Sequence, residues 1–227
     1  MKKRFKRKDG LFIIANLGKA SEVNLKLLKD KFKLIEELMI DAFSVDLKDK
    51  KDILAIKDIY PFLKDNHTYL LGGIDNLSYL DKAVNIDAFK VKFNLLKKES
   101  NYVKRILDSN DTSFFIYLPS KVSSHDIKKL TLIAKKSKFP LPVMLNNTKR
   151  DIFRCLYQLC KSGNIYVGYT DITPGVVSSI VSLIRGAQIV EKKLILHNLN
   201  NCKSNGYRID EFKIFVFLLL ESLNYLD

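Results

Sequence analysis

Hydrophobic and polar positions alternate between two spacings along this chain. Short runs of β-branched or aromatic residues, typical of buried strands, are each followed by a longer segment with apolar residues at helical spacing. Residues 11–15 (Leu-Phe-Ile-Ile-Ala) predict the first strand. Within residues 24–39, apolar residues such as Leu28, Phe32 and Ile35 fall on one face and predict a helix.

The same unit recurs eight times. Strands are predicted at residues 11–15, 42–47, 68–71, 88–93, 113–118, 142–146, 164–168 and 189–196. Helices are predicted at residues 24–39, 53–63, 77–84, 100–107, 123–136, 151–161, 175–185 and 210–226. Alternating strands and helices indicate a parallel sheet, because each parallel crossover needs a helix. Eight units predict an α/β fold of the (β/α)8 TIM-barrel type in a single domain, and a doubly wound open sheet is the alternative.

The start of the chain is basic. Residues 1–10 carry six Lys and Arg, and the apolar stretch after them is shorter than the core of a signal peptide. We therefore expect a basic tail at residues 1–10, a barrel domain at residues 11–227 and a cytoplasmic location. No apolar run reaches the roughly 18 residues of a membrane span. The three cysteines have no metal-type spacing and indicate reduced thiols.

The net charge of the chain indicates that its partners are anionic, but it does not identify a particular partner. The chain has 39 Lys and Arg against 25 Asp and Glu, a formal net charge of +14. Such a field attracts polyanions, phosphorylated metabolites or an anionic surface.

Two lysines stand out near the end of the fourth strand. In barrels of this kind, the functional residues lie at the carboxyl ends of the strands. Lys90 and Lys92 share one face of their strand, because strand side chains alternate between the interior and the surrounding helices. Aimed inward, the pair could hold a phosphate or carboxylate; aimed outward, the two side chains would reach past the helices into solvent.

The last two strands carry the other candidates. Residues 168–175 (Gly-Tyr-Thr-Asp-Ile-Thr-Pro-Gly) place Asp171 after a strand, with Thr173 able to cap the next helix. An ordinary strand-to-helix turn also accounts for this segment. Glu191 beside Lys192 and Lys193 is either a buried acid with its partner or a solvated run of charges.

Five segments in consecutive order resemble the sialic acid synthase (NeuB) family. They are residues 12–18 (FIIANLG, similar to IAEIG), 40–46 (IDAFSVD, similar to ADAVKFQ), 87–93 (DAFKVKF, similar to AFKIAS), 167–175 (VGYTDITPG, similar to GYSDHTLG) and 186–192 (GAQIVEK, similar to GAxIIEKH). The likeness runs over residues 11–200. It implies a TIM barrel that condenses phosphoenolpyruvate with an N-acetylated hexosamine, using a divalent metal and a C-terminal antifreeze-like domain.

Residues at the matching positions give the candidate site. The resemblance implies that Lys90 lies on the phosphoenolpyruvate side and that Asp171, Glu191 and Lys192 also match family positions. The predicted catalytic residues are Lys90, Asp171 and Glu191. The predicted substrate-binding residues are Lys92, Thr173, Lys192 and Lys193.

The chain departs from the family at the positions that carry its chemistry. Asn16 replaces the first-strand glutamate, and Ser44 and Asp46 replace the second-strand lysine and glutamine. The two metal-binding histidines align with Asn146 and Ile172, and Lys193 replaces the histidine after Glu-Lys. An isoleucine cannot ligate a cation, so we expect no metal, no cofactor and no condensation of the usual kind. No segment resembles the antifreeze-like domain.

The sequence therefore predicts a divergent barrel in carbohydrate metabolism that binds a small anionic ligand, such as phosphoenolpyruvate or a sugar phosphate. The protein could also bind a second copy of itself or a partner protein, either together with the small ligand or instead of it. One alternative function is a metal-free transferase or lyase that forms or breaks carbon–carbon bonds in a phosphorylated or carboxylated sugar. Another is nucleic-acid or anionic-surface binding, which we rank lowest because no aromatic stacking platform is interleaved with the basic residues.

Overall fold

The computed structural model describes residues 10–80, 85–98, 113–119, 122–137, 140–146, 151–196 and 206–225. Residues 1–9 of the expected basic tail, the predicted helix at 100–107 and Cys202 lie outside these ranges.

Eight parallel strands close into a barrel. They are β1 (Phe12–Lys19), β2 (Ala42–Leu47), β3 (Tyr69–Ile74), β4 (Ala88–Lys92), β5 (Ser113–Leu118), β6 (Leu141–Leu145), β7 (Ile165–Asp171) and β8 (Ile189–Ile195). Each strand pairs with the next one along the chain, and β1 also pairs with β8. This closure confirms the predicted TIM barrel and excludes the open sheet. A two-residue strand, β9 (Tyr207–Arg208), pairs with the end of β8.

Helices surround the barrel. They are α1 (Leu25–Asp30), α2 (Phe32–Glu36), α3 (Lys50–Asp65), α4 (Phe93–Lys98), α5 (Ser124–Lys136), α6 (Asp151–Cys160), α7 (Val177–Ile184) and α8 (Ile209–Leu223), with 3-10 turns at Ala20–Glu22 and Leu77–Tyr79. Capping boxes start α3, from Asp49 and Asp52, and α5, from Ser123 and Asp126. These side chains satisfy backbone N–H groups that the first helical turn leaves without partners.

Three strands are longer than the sequence pattern predicted: β3 runs through Gly72 and Gly73 to Ile74 instead of ending at residue 71, and the other two extensions end in polar residues. β1 continues to Lys19 and β7 to Asp171, whereas the predictions ended at residues 15 and 168. The extensions pair with neighbouring strands, as Thr170 does with Glu191. The hydrophobic pattern ends early at both places because polar side chains face the upper barrel interior.

Apolar side chains fill the lower part of the barrel interior. This inner layer consists of Phe12, Ile14, Ala42, Leu71, Ala88, Phe115, Met144 and Ile189. Gly168 faces the same layer, and a Cβ there would overlap the Met144 thioether and lie 2.9 Å from Ile189 Cβ. The alternate strand positions pack outward against the helices and form the larger apolar core. The floor of the barrel is therefore closed, which leaves the carboxyl ends of the strands for a site.

Within the described ranges, no helix combines the length and apolar character that crossing a membrane requires.

Candidate functional site

Above the apolar layer, the inward-facing side chains become polar. Six strands contribute to this second layer, through Asn16, Ser44, Lys90, Tyr117, Thr170 and Glu191. Strand alternation explains the grouping, because Thr170 follows the inward Gly168 by two positions and Tyr117 follows Phe115 by two. The upper interior is therefore a hydrogen-bonded polar cluster.

Glu191 is the centre of this cluster, and its side chain is completely buried. Its Oε1 accepts hydrogen bonds from Lys90 Nζ at 2.5 Å, Ser44 Oγ at 2.6 Å and Asn16 Nδ2 at 3.3 Å. Its Oε2 accepts from Tyr117 Oη at 2.7 Å and Thr170 Oγ1 at 2.9 Å. Five donors from five strands therefore converge on one carboxylate.

Lys90 completes a buried ion pair. Its side chain is 7% exposed, and its ammonium also donates to Ser44 Oγ at 3.2 Å. The same ammonium lies 4.9 Å from the centre of the Tyr117 ring, within the range of a cation–π interaction. A buried ion pair is stable only when the remaining donors and acceptors are also satisfied, and this pair meets that condition.

The electrostatics fix the protonation states of two groups. Burial alone would raise the pKa of Glu191, but the Lys90 charge and the hydrogen bonds from Lys90, Ser44 and Tyr117 outweigh it and lower that pKa. Burial, together with the Glu191 charge, raises the pKa of Tyr117 well above its ordinary value. Glu191 is therefore an ionised acceptor near neutral pH, and Tyr117 is a neutral donor.

A pocket of about 350 Å³ opens at the mouth of the barrel, beside this cluster. It lies at the carboxyl ends of β4 to β7, and its lining residues are Lys92, Phe93, Asn94, Tyr117, Leu118, Pro119, Asn146 and Ile172. Lys92 is 64% exposed there, and its Nζ lies 2.5 Å from Asp75 Oδ1. Tyr117 belongs to both the pocket and the buried cluster, so it connects the two.

The pocket residues do not fit a divalent cation. Asn146 and Ile172, which align with the metal-binding histidines of the resembled family, both line the pocket. The Ile172 side chain has no ligand atom, and Asn146 supplies one neutral amide oxygen. Nowhere in the described part of the chain do three His, Cys, Asp or Glu side chains come close enough to hold a metal ion.

Asp171 and Lys192 meet on the opposite, outer side of β7 and β8. Asp171 accepts hydrogen bonds from Ser179 Oγ at 2.5 Å and Thr173 Oγ1 at 2.6 Å, and its Oδ2 lies 3.2 Å from Lys192 Nζ. Lys192 Nζ also donates to the Thr173 carbonyl at 2.5 Å and lies 4.7 Å from the centre of the Tyr207 ring. This second buried ion pair fastens the β7–α7 loop and β9 to the barrel.

The structure brings together some of the predicted residues and separates others. We expected Lys90, Asp171 and Glu191 around one hollow. Lys90 and Glu191 do meet in the interior, whereas Asp171, Thr173 and Lys192 form the outer group.

Two predicted lysines lie at the rim, and four polar residues of the cluster were not predicted as site residues. Lys92 shares the inward face of β4 with Lys90, and Lys193 is exposed at the rim, paired in register with Asn16. Asn16, Ser44, Tyr117 and Thr170 were not among the predicted site residues, although all four hydrogen-bond Glu191. The available signal was their inward parity, since each is a polar residue two positions beyond an inward residue near the end of its strand.

Fold and site together define a TIM barrel with a hydrogen-bonded polar interior beneath a small pocket at its mouth. No protein-family model matches the sequence, and no curated protein matches it. Solved structures do match.

The spore coat polysaccharide biosynthesis protein spsE of Bacillus subtilis is similar at a TM-score of 0.75 and 14% identity, over 95% of this chain and 68% of that one. The N-acetylneuraminic acid (sialic acid) synthetase of Leptospira borgpetersenii is similar at a TM-score of 0.72 and 15% identity, over 95% of this chain and 85% of that one. A truncated 3-deoxy-D-arabino-heptulosonate 7-phosphate synthase from Thermotoga maritima matches at a TM-score of 0.72 and 13% identity, over 95% of this chain and 87% of that one. At these identities the likeness establishes the fold alone: the chain shares the barrel of these proteins.

Proposed function

We propose that this protein is a sialic acid synthase-like barrel that binds a small anionic ligand in its mouth pocket, without metal-dependent condensation of phosphoenolpyruvate. The observation that carries the proposal is the saturation of Glu191, which accepts five hydrogen bonds while paired with Lys90. A carboxylate with a lowered pKa and both oxygens occupied is a poor general base.

The mouth pocket has the chemistry for a small anion with polar substituents. Lys92 supplies a positive charge and keeps further N–H donors beside its exposed ion pair with Asp75. The Asn94 and Asn146 amides can donate to and accept from hydroxyl or carboxylate groups. The volume lies in the range of small-molecule sites. The net charge of +14 favours the approach of any anion.

The predicted residues take three roles in this proposal. Lys92 lines the pocket and contacts the ligand, and Lys193 adds positive charge at the rim, outside that lining. Lys90 and Glu191 lie in the polar cluster beside the pocket and hold Tyr117 in place. Asp171, Lys192 and Thr173 support the β7–α7 loop, so they act on the ligand only through the position of that loop.

One solved neighbour supports the class of ligand. The Leptospira borgpetersenii synthetase was solved in complex with citrate, a small polycarboxylate. The same chemistry, with several negative charges on a compact polar molecule, suits a pocket with lysines at its rim. We place this chain in carbohydrate metabolism by that analogy.

The catalytic part of the proposal is tested by incubating the purified protein with phosphoenolpyruvate, N-acetylmannosamine and Mn²⁺. We expect no phosphate above the level of a protein-free control, because among the described residues no three His, Cys, Asp or Glu side chains are grouped to hold the metal. An active sialic acid synthase in a parallel tube verifies the assay. Sustained release of phosphate by this protein would overturn the proposal.

The binding part is tested by calorimetric titration with citrate, phosphoenolpyruvate and sugar phosphates. At least one should bind, and Lys92→Ala should weaken it by roughly threefold to tenfold, since the lost charge is partly screened by solvent. Lys57→Ala removes an exposed lysine from α3, away from the pocket, and serves as the matched control. Equal weakening by both variants would show that net charge, and not the pocket, governs binding.

A further inference from the structure

We propose that the outer face of α8 is a self-association surface, on which two copies of this chain pair about a two-fold axis with their α8 helices antiparallel. This proposal is independent of the ligand proposal, because the face lies on the outside of the barrel and shares no residue with the mouth pocket.

The outer face of α8 is apolar where solvent contacts it. Ile214 and Phe217 are each 60% exposed, and Leu218 is also exposed. Residues 214–220 (Ile-Phe-Val-Phe-Leu-Leu-Leu) contain no charged side chain, although 28% of the whole chain is charged. Exposed apolar groups that lie close together indicate an interaction site.

The opposite face of α8 already has its partners. Phe212, Phe215 and Leu219 are buried against the barrel and the neighbouring helices. α8 is therefore apolar on two sides, whereas a helix that packs on a single domain needs only one apolar stripe. The second stripe is explained if it is buried by another molecule.

Charges on the outer face identify a second copy as that molecule. Lys213 lies four residues before Phe217, and Glu221 lies four residues after it. In an antiparallel pair centred on Phe217, Lys213 of each protomer lies opposite Glu221 of its partner, and Ile214 lies opposite Leu220. A parallel pair would place like charges opposite each other. The face is thus electrostatically complementary to itself in this antiparallel arrangement and not in the parallel one.

The surroundings favour this face over the rest of the surface. Two copies that each carry a charge of +14 repel, so they approach most easily where lysines are few or are matched by acids. Lys213 Nζ already binds Glu37 Oε2 at 2.8 Å, but both side chains are 59% exposed and the ammonium has further donors. α7 packs beside α8 and exposes Val177 and Ile184, which add apolar area toward the roughly 800 Å² per partner of a standard interface.

Sedimentation velocity on the full chain tests the proposal. We expect a dimer in the micromolar range, and Phe217→Glu should weaken association by roughly tenfold or more, because it places two charges against each other at the axis. Lys213→Glu and Glu221→Lys should each weaken the dimer. The double variant, which exchanges the two charges, should restore it.

Control experiments distinguish self-association from misfolding and from the binding of a different partner to the outer face of α8. Leu132→Glu introduces the same charge at a 58% exposed leucine on α5 and should leave the dimer intact. Circular dichroism checks that every variant is folded. A wild-type protein that stays monomeric up to about 100 µM overturns the proposal. A double charge exchange that does not restore association also overturns it, and then assigns the face to a different partner or packing.

Discussion

The Glu191 carboxylate is ionised inside the barrel at a position that water does not reach. Moving a carboxylate out of water costs several kcal/mol even after the protein relaxes, and one opposite charge rarely offsets that cost alone. Here Lys90 supplies the charge, and four neutral donors satisfy the remaining lone pairs. The cluster is therefore stable as a unit, and each member depends on the others.

Replacement of Glu191 by glutamine tests this dependence. Glu191→Gln should lower the free energy of unfolding by about 3–5 kcal/mol, because Lys90 then remains charged and buried without a counter-charge. Urea unfolding followed by circular dichroism measures the change. Lys90→Met combined with Glu191→Gln should recover most of the loss. A single variant as stable as the wild type would show that the ion pair contributes little.

The lowered pKa of Glu191 predicts the direction of a pH effect. Its folded pKa lies below the ordinary value of 4.5, so its contribution to stability is complete above about pH 4.5 and is lost as the pH falls through the folded pKa. The stability difference between the wild type and Glu191→Gln should thus be constant near neutral pH and shrink in acid. Unfolding curves from pH 7 to pH 3 measure it, and a difference that grows in acid would contradict the assignment.

At the scale of elements, β7 and β8 carry two separate ion-pair groups on the two sides of one strand pair. Thr170 and Glu191 are register partners that face the interior, and the next partners, Asp171 and Lys192, face the helices. Consecutive residues on each strand therefore point to opposite faces of the sheet. One residue joins the buried cluster, and the next one holds the β7–α7 loop.

Gly168 lies lower on β7 and makes room for Met144. Gly168→Ala should lower the free energy of unfolding by about 1–3 kcal/mol, because the added methyl group overlaps a packed interior. In a Met144→Ala background the same change should cost less, since the overlapping thioether is gone. Chemical denaturation of the four proteins of this cycle measures the coupling. Equal costs in both backgrounds would mean that Met144 moves aside without strain.

For the whole molecule, local patterns were sufficient to predict the number and order of the strands and to favour a TIM barrel, whereas the closure of the sheet is seen only in the structure. Eight strand–helix repeats indicated a TIM barrel, and the alternation along β4 placed Lys90 and Lys92 on one face. Both predictions depend on the spacing of side chains along the sequence. This spacing can be recognised because side chains repeat every 2 residues in a strand and about every 3.6 residues in a helix. Strand ends were predicted less well, since polar inward positions interrupt the hydrophobic pattern at the top of β1 and β7.

Contacts between distant segments were not predictable in the same way. Lys90 and Glu191 are 101 residues apart, and Tyr117 and Glu191 are 74 apart. The contacts between these residues depend on the closure of the barrel and on the register of each strand relative to its neighbours. Neither quantity has a local signature, because register is decided by packing across the whole sheet.

The sequence by itself determined the number and order of the strands and helices, the basic charge and the lack of histidines at the resembled metal positions. Only the tertiary structure decided that Glu191 is enclosed by five donors, that Asp171 and Lys192 face outward, and that the mouth pocket lies above Tyr117. The physical reason is that spacing along a chain fixes which way a side chain points within its own element. Which groups that side chain meets depends on how eight strands close around a common interior.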